Sequence, residues 1–198
     1  MKIILYRHGT SDHNVTNTHD CNILSRSLLT ENGYKTLRTN TLGLVDYIKK
    51  KYGGIRFGDI YSSPLVRCVM TSSYVTGILY DNEMLYDDFQ VIVDSKLMEV
   101  NMGDLNGLVT NDNGWDFSNG REYNGETEKD VYNRIEKFYK SKTYKNKHDF
   151  IVFSHGEPIR ELFRYITGEE YKPKRGSCVF IDTKKMIIKK FETYDKSY

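Results

Sequence analysis

Cysteine, proline and tryptophan are scarce in this chain, with three, three and one among 198 residues. Cys21, Cys68 and Cys178 are odd in number, far apart and without C-x-x-C spacing, so neither a disulfide framework nor a zinc site is indicated and a reducing compartment is expected. No charge of one sign dominates: 29 Lys and Arg against 27 Asp and Glu leave a net +2. Bulk electrostatics therefore select no nucleic acid and no membrane, and any affinity for anions has to be local. A long apolar run is missing too. Ile3 to Tyr6 is too short for a signal-peptide core or a membrane span, which points to a soluble cytoplasmic protein. Asn14-Val15-Thr16 matches the glycosylation acceptor pattern, but without a secretory route the match is idle. There is no internal repeat, low-complexity tract or linker, and the length suits one domain over 1–198.

What is present is an alternation of strands and helices. Lys2 to Arg7, rich in isoleucine, leucine and tyrosine, ends at a polar turn with glycine, as a buried strand feeding a loop does. Thr30-Glu31-Asn32 offers a cap for a helix that turns Tyr34, Leu37, Leu44, Val45, Ile48 and Tyr52 inward and stops at Gly53-Gly54. Phe57 to Tyr61 predicts a short strand. Ser62-Ser63-Pro64 predicts a helix start with proline in its first turn, and Leu65, Cys68, Val69 and Leu79 its inner face. A third strand is expected at Phe89 to Val93, followed from Asn101 to Tyr123 by an aperiodic stretch dense in glycine, asparagine and aspartate, read as a functional loop. Helical spacing returns at Val131, Ile135 and Phe138. The apolar strand Phe150 to Phe153 then runs into Ser154-His155-Gly156-Glu157-Pro158 and a helix on Ile159, Leu162, Phe163 and Ile166. Cys178 to Ile181 and Met186 to Phe191 close the sheet. The pattern predicts an α/β fold, with a mostly parallel central sheet covered on both faces and ligands outside the carboxyl ends of its strands.

Two strand ends on one edge of that sheet carry histidine followed by glycine, His8-Gly9 and His155-Gly156. His13, His19 and His148 lack such context and are read as ordinary surface or packed histidines. Arg7 and Arg67, also near strand ends, offer planar forks of donors that match phosphoryl oxygens. The glycine amides and the helix start near Pro158 add backbone attraction for an anion.

These residues resemble the histidine phosphatase superfamily, branch 1, which includes the cofactor-dependent phosphoglycerate mutases and the fructose-2,6-bisphosphatases. The resemblance runs nearly end to end. It is carried by Arg7-His8-Gly9-Thr10-Ser11-Asp12-His13-Asn14, Leu29-Thr30-Glu31-Asn32-Gly33, Ser63-Pro64-Leu65-Val66-Arg67, Leu97-Met98-Glu99 through Gly107, and Phe153-Ser154-His155-Gly156-Glu157-Pro158-Ile159-Arg160. It implies a phosphoglycerate mutase-like three-layer αβα sandwich and a covalent phosphohistidine at His8, with no metal and no cofactor. By the same resemblance Arg7, Arg67 and His155 stabilise the transferring phosphoryl group. Gly9, Ser11, Asn14 and Gly156 complete its pocket, and Glu99 acts as acid and base with a pKa above that of a free carboxylate.

Thr10, Thr36 and Glu157 depart from residues common in the family, and Asp20 to Leu28 departs from its usual wording. Arg26 is read either as a contact for a distal phosphate or as plain surface. Lys172, Lys174 and Arg175 are read as a rim of the pocket or as solvated charges. Asn124-Gly125-Glu126-Thr127 reads as a helix cap, and Lys49 to Lys51, Lys184-Lys185 and Lys189-Lys190 as solvated faces. Trp115, Phe117 and Tyr123 line either an organic group or one another. The mutases of the family carry a long insertion between acid and second histidine. Here the interval from Glu99 to His155 is short, which favours hydrolysis of a small phosphorylated metabolite over transfer. Phosphoglycerate mutase and sugar bisphosphatase are the alternatives. Less weight falls on a binding module that has lost catalysis and on a metal hydrolase built from His8, Asp12, His13 and His19. The oligomeric state is open between a monomer and a homodimer.

Overall fold

The computed structural model describes residues 1–109, 117–144 and 149–193. Its centre is a six-stranded sheet formed by β1 (Lys2–Arg7), β2 (Phe57–Ser62), β3 (Leu85–Val93), β4 (Phe150–Ser154), β5 (Cys178–Asp182) and β6 (Ile187–Phe191), in the order β3-β2-β4-β1-β5-β6. The four strands from β3 to β1 run parallel, whereas β5 and β6 add antiparallel. Helices α2 (Glu31–Tyr52) and α3 (Val66–Asp81) cover one face, α4 (Glu128–Thr143) and α5 (Gly156–Thr167) the other, and α1 (Asp12–Val15) is a single turn after β1. This is the three-layer α/β/α arrangement expected.

Strand alternation builds the two cores. Ile4, Tyr6, Ile60, Ile151 and Phe153 meet Leu37, Leu44, Ile48, Val75 and Leu79 on one side. Ile3, Leu5, Tyr61, Phe150 and Val152 meet Val131, Ile135, Phe138, Ile159 and Leu162 on the other. Because both faces are covered, the central strands read as continuous apolar runs rather than as alternating ones.

The capping signals act as expected at α2, where the Gly33 N–H donates to Thr30 Oγ1 at 3.0 Å and Gly53 closes the helix with φ +68°. Two expectations need correction at α3. The helix begins at Val66, after Ser62 has ended β2, and Val69 is exposed while Thr71, Ser72, Val75 and Thr76 turn inward. Polar Thr and Ser side chains on that inner face hid it from a search by apolar spacing. Likewise β3 starts at Leu85, four residues before the predicted strand, because as an edge strand it exposes most of its residues and carries Asp87 and Asp88.

The topology sets the site. The chain leaves β1 toward the α2 face and leaves neighbouring β4 toward the α5 face, so a crevice opens where the connections diverge. Arg7 pairs with Ser154 in the register, and the His8 N–H donates to the Ser154 carbonyl at 3.0 Å, which sets His8 and His155 side by side.

Candidate active site

His8 and His155 are buried, with ring centroids 5.1 Å apart. His8 Nδ1 lies 2.8 Å from its neighbour's acceptor, the Gly9 carbonyl, so Nδ1 carries the proton and Nε2 keeps its lone pair. Burial, with the Arg67 and Arg7 charges beside it, pushes His8 well below the usual imidazole range. The ring is therefore neutral and of one tautomer at neutral pH. His155 is lowered by burial, then by Arg67, and its Nε2 lies 2.8 Å from Ser63 Oγ while Nδ1 faces Glu99 Oε2 at 3.9 Å.

Arg7 and Arg67 flank this pair. Arg7 Nη1 donates to the Pro173 carbonyl at 3.0 Å. Arg67, 1% exposed, gives Nη1 to Asp20 Oδ2 at 3.1 Å and Nη2 to the Asp20 carbonyl at 2.7 Å. The Nε of both arginines is buried without a hydrogen-bond partner among the described residues. Buried donors left open beside a neutral imidazole are what an incoming oxyanion satisfies.

The accessible part of the site is a cleft of about 320 Å³ lined by Arg7, Asn14, Asp20, Glu99, Gly156, Glu157 and Arg175 among others. Gly156 is required for close approach: a Cβ there would lie 3.0 Å from Lys172 Cε and 3.1 Å from Arg7 Cζ. Gly9 and Ser11 are placed differently. The Gly9 N–H donates to Thr71 Oγ1 at 3.2 Å, and buried Ser11 Oγ bonds Asn14 and His13 instead of facing the cleft.

Sequence reasoning passed over several members of this constellation. His13, read as an ordinary surface or packed histidine, has its ring 5.8 Å from His8 and is lowered to about 3 by burial, Arg67 and Arg175. Ser63, Thr71 and Asp20 hold His155, Gly9 and Arg67; long-range partners of this kind carry no local signal. Glu126 does not cap α4. Thr127 and Asp130 form the capping box, while Glu126 accepts from the Asn101 N–H at 2.9 Å and from Arg134 Nε at 2.8 Å. Arg26 is exposed and lines a second cavity of about 410 Å³ that shares His13, Thr18, His19 and Asp20 with the first. Glu157 lines the cleft and pairs with Lys172 there and with Arg160 along α5. Lys174 contributes its carbonyl, accepting from Ser177. Trp115, His148 and the side chain of Phe117 lie outside the described residues.

A ring nitrogen from each of His8 and His155 and a Glu99 oxygen lie within 4.8 Å of one another, a donor set a transition metal could use. The charges of Arg7 and Arg67 bear on both rings and that of Arg175 on Glu99, and such a field opposes a cation and favours an anion. The four-residue set of His8, Asp12, His13 and His19 is not assembled for a metal either. Asp12 Oδ2 accepts from the Leu28 N–H instead.

A neutral histidine beside its twin, with arginines around it at the carboxyl edge of a parallel sheet, is an arrangement suited to a phosphoryl group. The chain belongs to the histidine phosphatase superfamily (branch 1), whose model matches residues 3–192. Among solved structures it is similar to the alpha-ribazole phosphatase from Shigella flexneri, with 20% identity over 92% of this chain and 90% of that one and a TM-score of 0.68. It is also similar to the mycobacterial glucosyl-3-phosphoglycerate phosphatase in complex with VO3, with 17% identity, 91% and 92% coverage and a TM-score of 0.64. A protein from Thermus thermophilus aligns at 20% identity, 92% and 94% coverage and a TM-score of 0.63. No curated protein sequence matches the chain. Among the described residues no helix is long and apolar enough to cross a membrane.

Proposed function

We propose that the chain is a metal-independent phosphatase that hydrolyses small phosphate monoesters through a phosphohistidine at His8. The observation that carries this reading is the locked neutral tautomer of His8, Nδ1 bonded to Gly9 O and Nε2 free, beside buried guanidinium donors. Nε2 attacks phosphorus, and the bond from phosphorus to the ester oxygen breaks. Glu99 serves as the general acid that supplies a proton to the departing alkoxide. Arg7, Arg67 and His155 spread the charge of the transferring group, and Asn14 and Gly156 shape the space around it. Water then attacks the phosphohistidine and passes a proton to Glu99. The P–N bond breaks, and inorganic phosphate and neutral His8 are regained.

The cleft is open to solvent, which supports hydrolysis over transfer to a second substrate hydroxyl. The test is phosphate release from a panel of phosphate esters with EDTA present, comparing the protein with His8→Ala and including 3-phosphoglycerate with and without 2,3-bisphosphoglycerate. Metal-free release that vanishes in His8→Ala is expected. Interconversion of phosphoglycerates with little release would make the enzyme a mutase, and release surviving His8→Ala would overturn the mechanism.

A further inference from the structure

The cations around the cleft are not all accounted for by the reaction. Arg67 is engaged by Asp20, Lys172 by Glu157, and Arg7 partly by Pro173 O. Arg175 is exposed, lines the same cleft as Glu99, Gly156 and Lys172, and has no hydrogen-bond or ion-pair partner among the described residues. An exposed arginine is ordinarily just solvated. This one stands on backbone that is tied to the nucleophile's own segment. The Gly176 N–H donates to the His8 carbonyl at 2.8 Å, the Arg7 N–H to the Ser177 carbonyl at 3.1 Å, and Asn40 Nδ2 to the Gly176 carbonyl at 2.9 Å. Gly176 has φ +70°, and a Cβ there would meet Thr36 Cγ2 at 3.0 Å. The loop between α5 and β5 is thus fixed against β1, and Arg175 lines the cleft from a base tied to that strand. Its charge is felt at Arg7, His13 and Glu99.

We propose that Arg175 forms a second anionic subsite beside the phosphoryl site, and that it selects phosphate esters whose alcohol portion carries a carboxylate. This rests on the phosphatase reading of the same cleft. A carboxylate fits better than a second phosphoryl group for two reasons. Arg175 is a single uncommitted guanidinium whose planar fork matches one carboxylate. Glu157 and Glu99 line the same cleft and would repel a further dianion, the more so as Lys172 is already held by Glu157. The cleft, at the small end of ligand-binding cavities, suits a short hydroxy acid.

The test compares esters that differ by the carboxylate alone: 3-phosphoglycerate with glycerol 3-phosphate, and 2-phosphoglycolate with ethyl phosphate. Affinities are measured by calorimetry on His8→Ala and on His8→Ala/Arg175→Gln, so that no turnover is needed. The acid is expected to bind about tenfold more tightly than its neutral counterpart, with Arg175→Gln bringing that ratio close to one and Arg175→Lys restoring part of it. A ratio near one with Arg175 present, a ratio that survives Arg175→Gln, no detectable binding of any of the four, or tighter binding of 1,3-propanediol bisphosphate than of either acid would overturn the proposal. Hydrolysis of para-nitrophenyl phosphate by the otherwise unaltered protein separates the two readings. A carboxylate preference without hydrolysis leaves the subsite standing and removes the phosphatase, and hydrolysis without preference does the reverse.

Discussion

Asp20 occupies both terminal nitrogens of the Arg67 guanidinium and leaves its Nε open. Its Oδ2 lies 3.1 Å from Arg67 Nη1 and also accepts from Ser25 Oγ at 2.6 Å, with the two ion-pair side chains 1% and 9% exposed. A phosphoryl oxygen docking on the same fork would sit roughly 4 Å from that carboxylate, where two unit charges at an effective dielectric near 20 repel by about 4 kcal/mol. On the proposed mechanism, the Asp20 carboxylate is therefore expected to lower affinity for a phosphoryl group at Arg67. Asp20→Asn keeps a side-chain oxygen and the backbone carbonyl for Arg67 but removes the negative charge. Allowing for relief by loop movement, about a third to two thirds of the repulsion should be recovered as binding, a gain of roughly 10- to 100-fold. The assay is inhibition by orthovanadate and by inorganic phosphate at pH 7, expected to strengthen by that factor in Asp20→Asn. The same variant should melt earlier, by less than the ~3–5 kcal/mol typical of breaking a buried pair, because the Asp20 carbonyl still bonds Arg67. Inhibition constants that stay unchanged or weaken would refute the reasoning and make Asp20 a support that holds Arg67 in place.

Other outcomes follow from the same geometry. Glu99→Gln should lower kcat by about 10²- to 10⁴-fold on alkyl phosphates and much less on para-nitrophenyl phosphate, whose leaving group needs no proton; an equal loss on both would remove Glu99 as the acid. Gly33→Ala would set a Cβ 2.3 Å from the Thr10 carbonyl oxygen, so α2 could no longer start against the His8 loop. A loss of ~2–4 kcal/mol is expected, read as a fall in Tm of roughly 5–10 °C, and an unchanged Tm would contradict the packing. His8, His13 and His155 all have folded pKa values below the unfolded value near 6.5. The folded protein thus refuses protons that the unfolded chain accepts, and stability is complete above about pH 6.5 and lost as pH falls below it, by up to ~1.4 kcal/mol per histidine per pH unit. Urea midpoints at pH 7.5, 6.5 and 5.5 should fall together with pH; a flat series would mean that these rings are charged in the native state.

The fold was legible wherever burial is uniform. Ile3 to Tyr6 and Phe150 to Phe153 announce central parallel strands, and Thr30 and Gly53 announce the ends of α2, because those signals are local. The inner face of α3 and the start of β3 were not legible. Thr71, Ser72 and Thr76 are buried by the tertiary fold, and Leu85 belongs to an edge strand whose polar exterior resembles a loop. At the site, motif spacing placed His8, Arg7, Arg67, Glu99 and His155 in advance, and the structure brings them into one crevice. It could not reveal that Asp20 sits on Arg67 or that His13 turns in toward His8. Such pairings depend on how the segment between α1 and α2 folds back, and no periodicity encodes that.

The hydrogen bond from the His8 amide to the Ser154 carbonyl extends the central β1–β4 strand pair by one residue, to His8. Its amide, with those of Leu5 and Val152, should exchange with deuterium only through global unfolding, whereas the segment around Asp20 exchanges through local opening. On that expectation the histidines are held by the central sheet, while the rim of the cleft rests on a loop. Substitutions in that loop are therefore expected to leave the two histidines where the central sheet puts them.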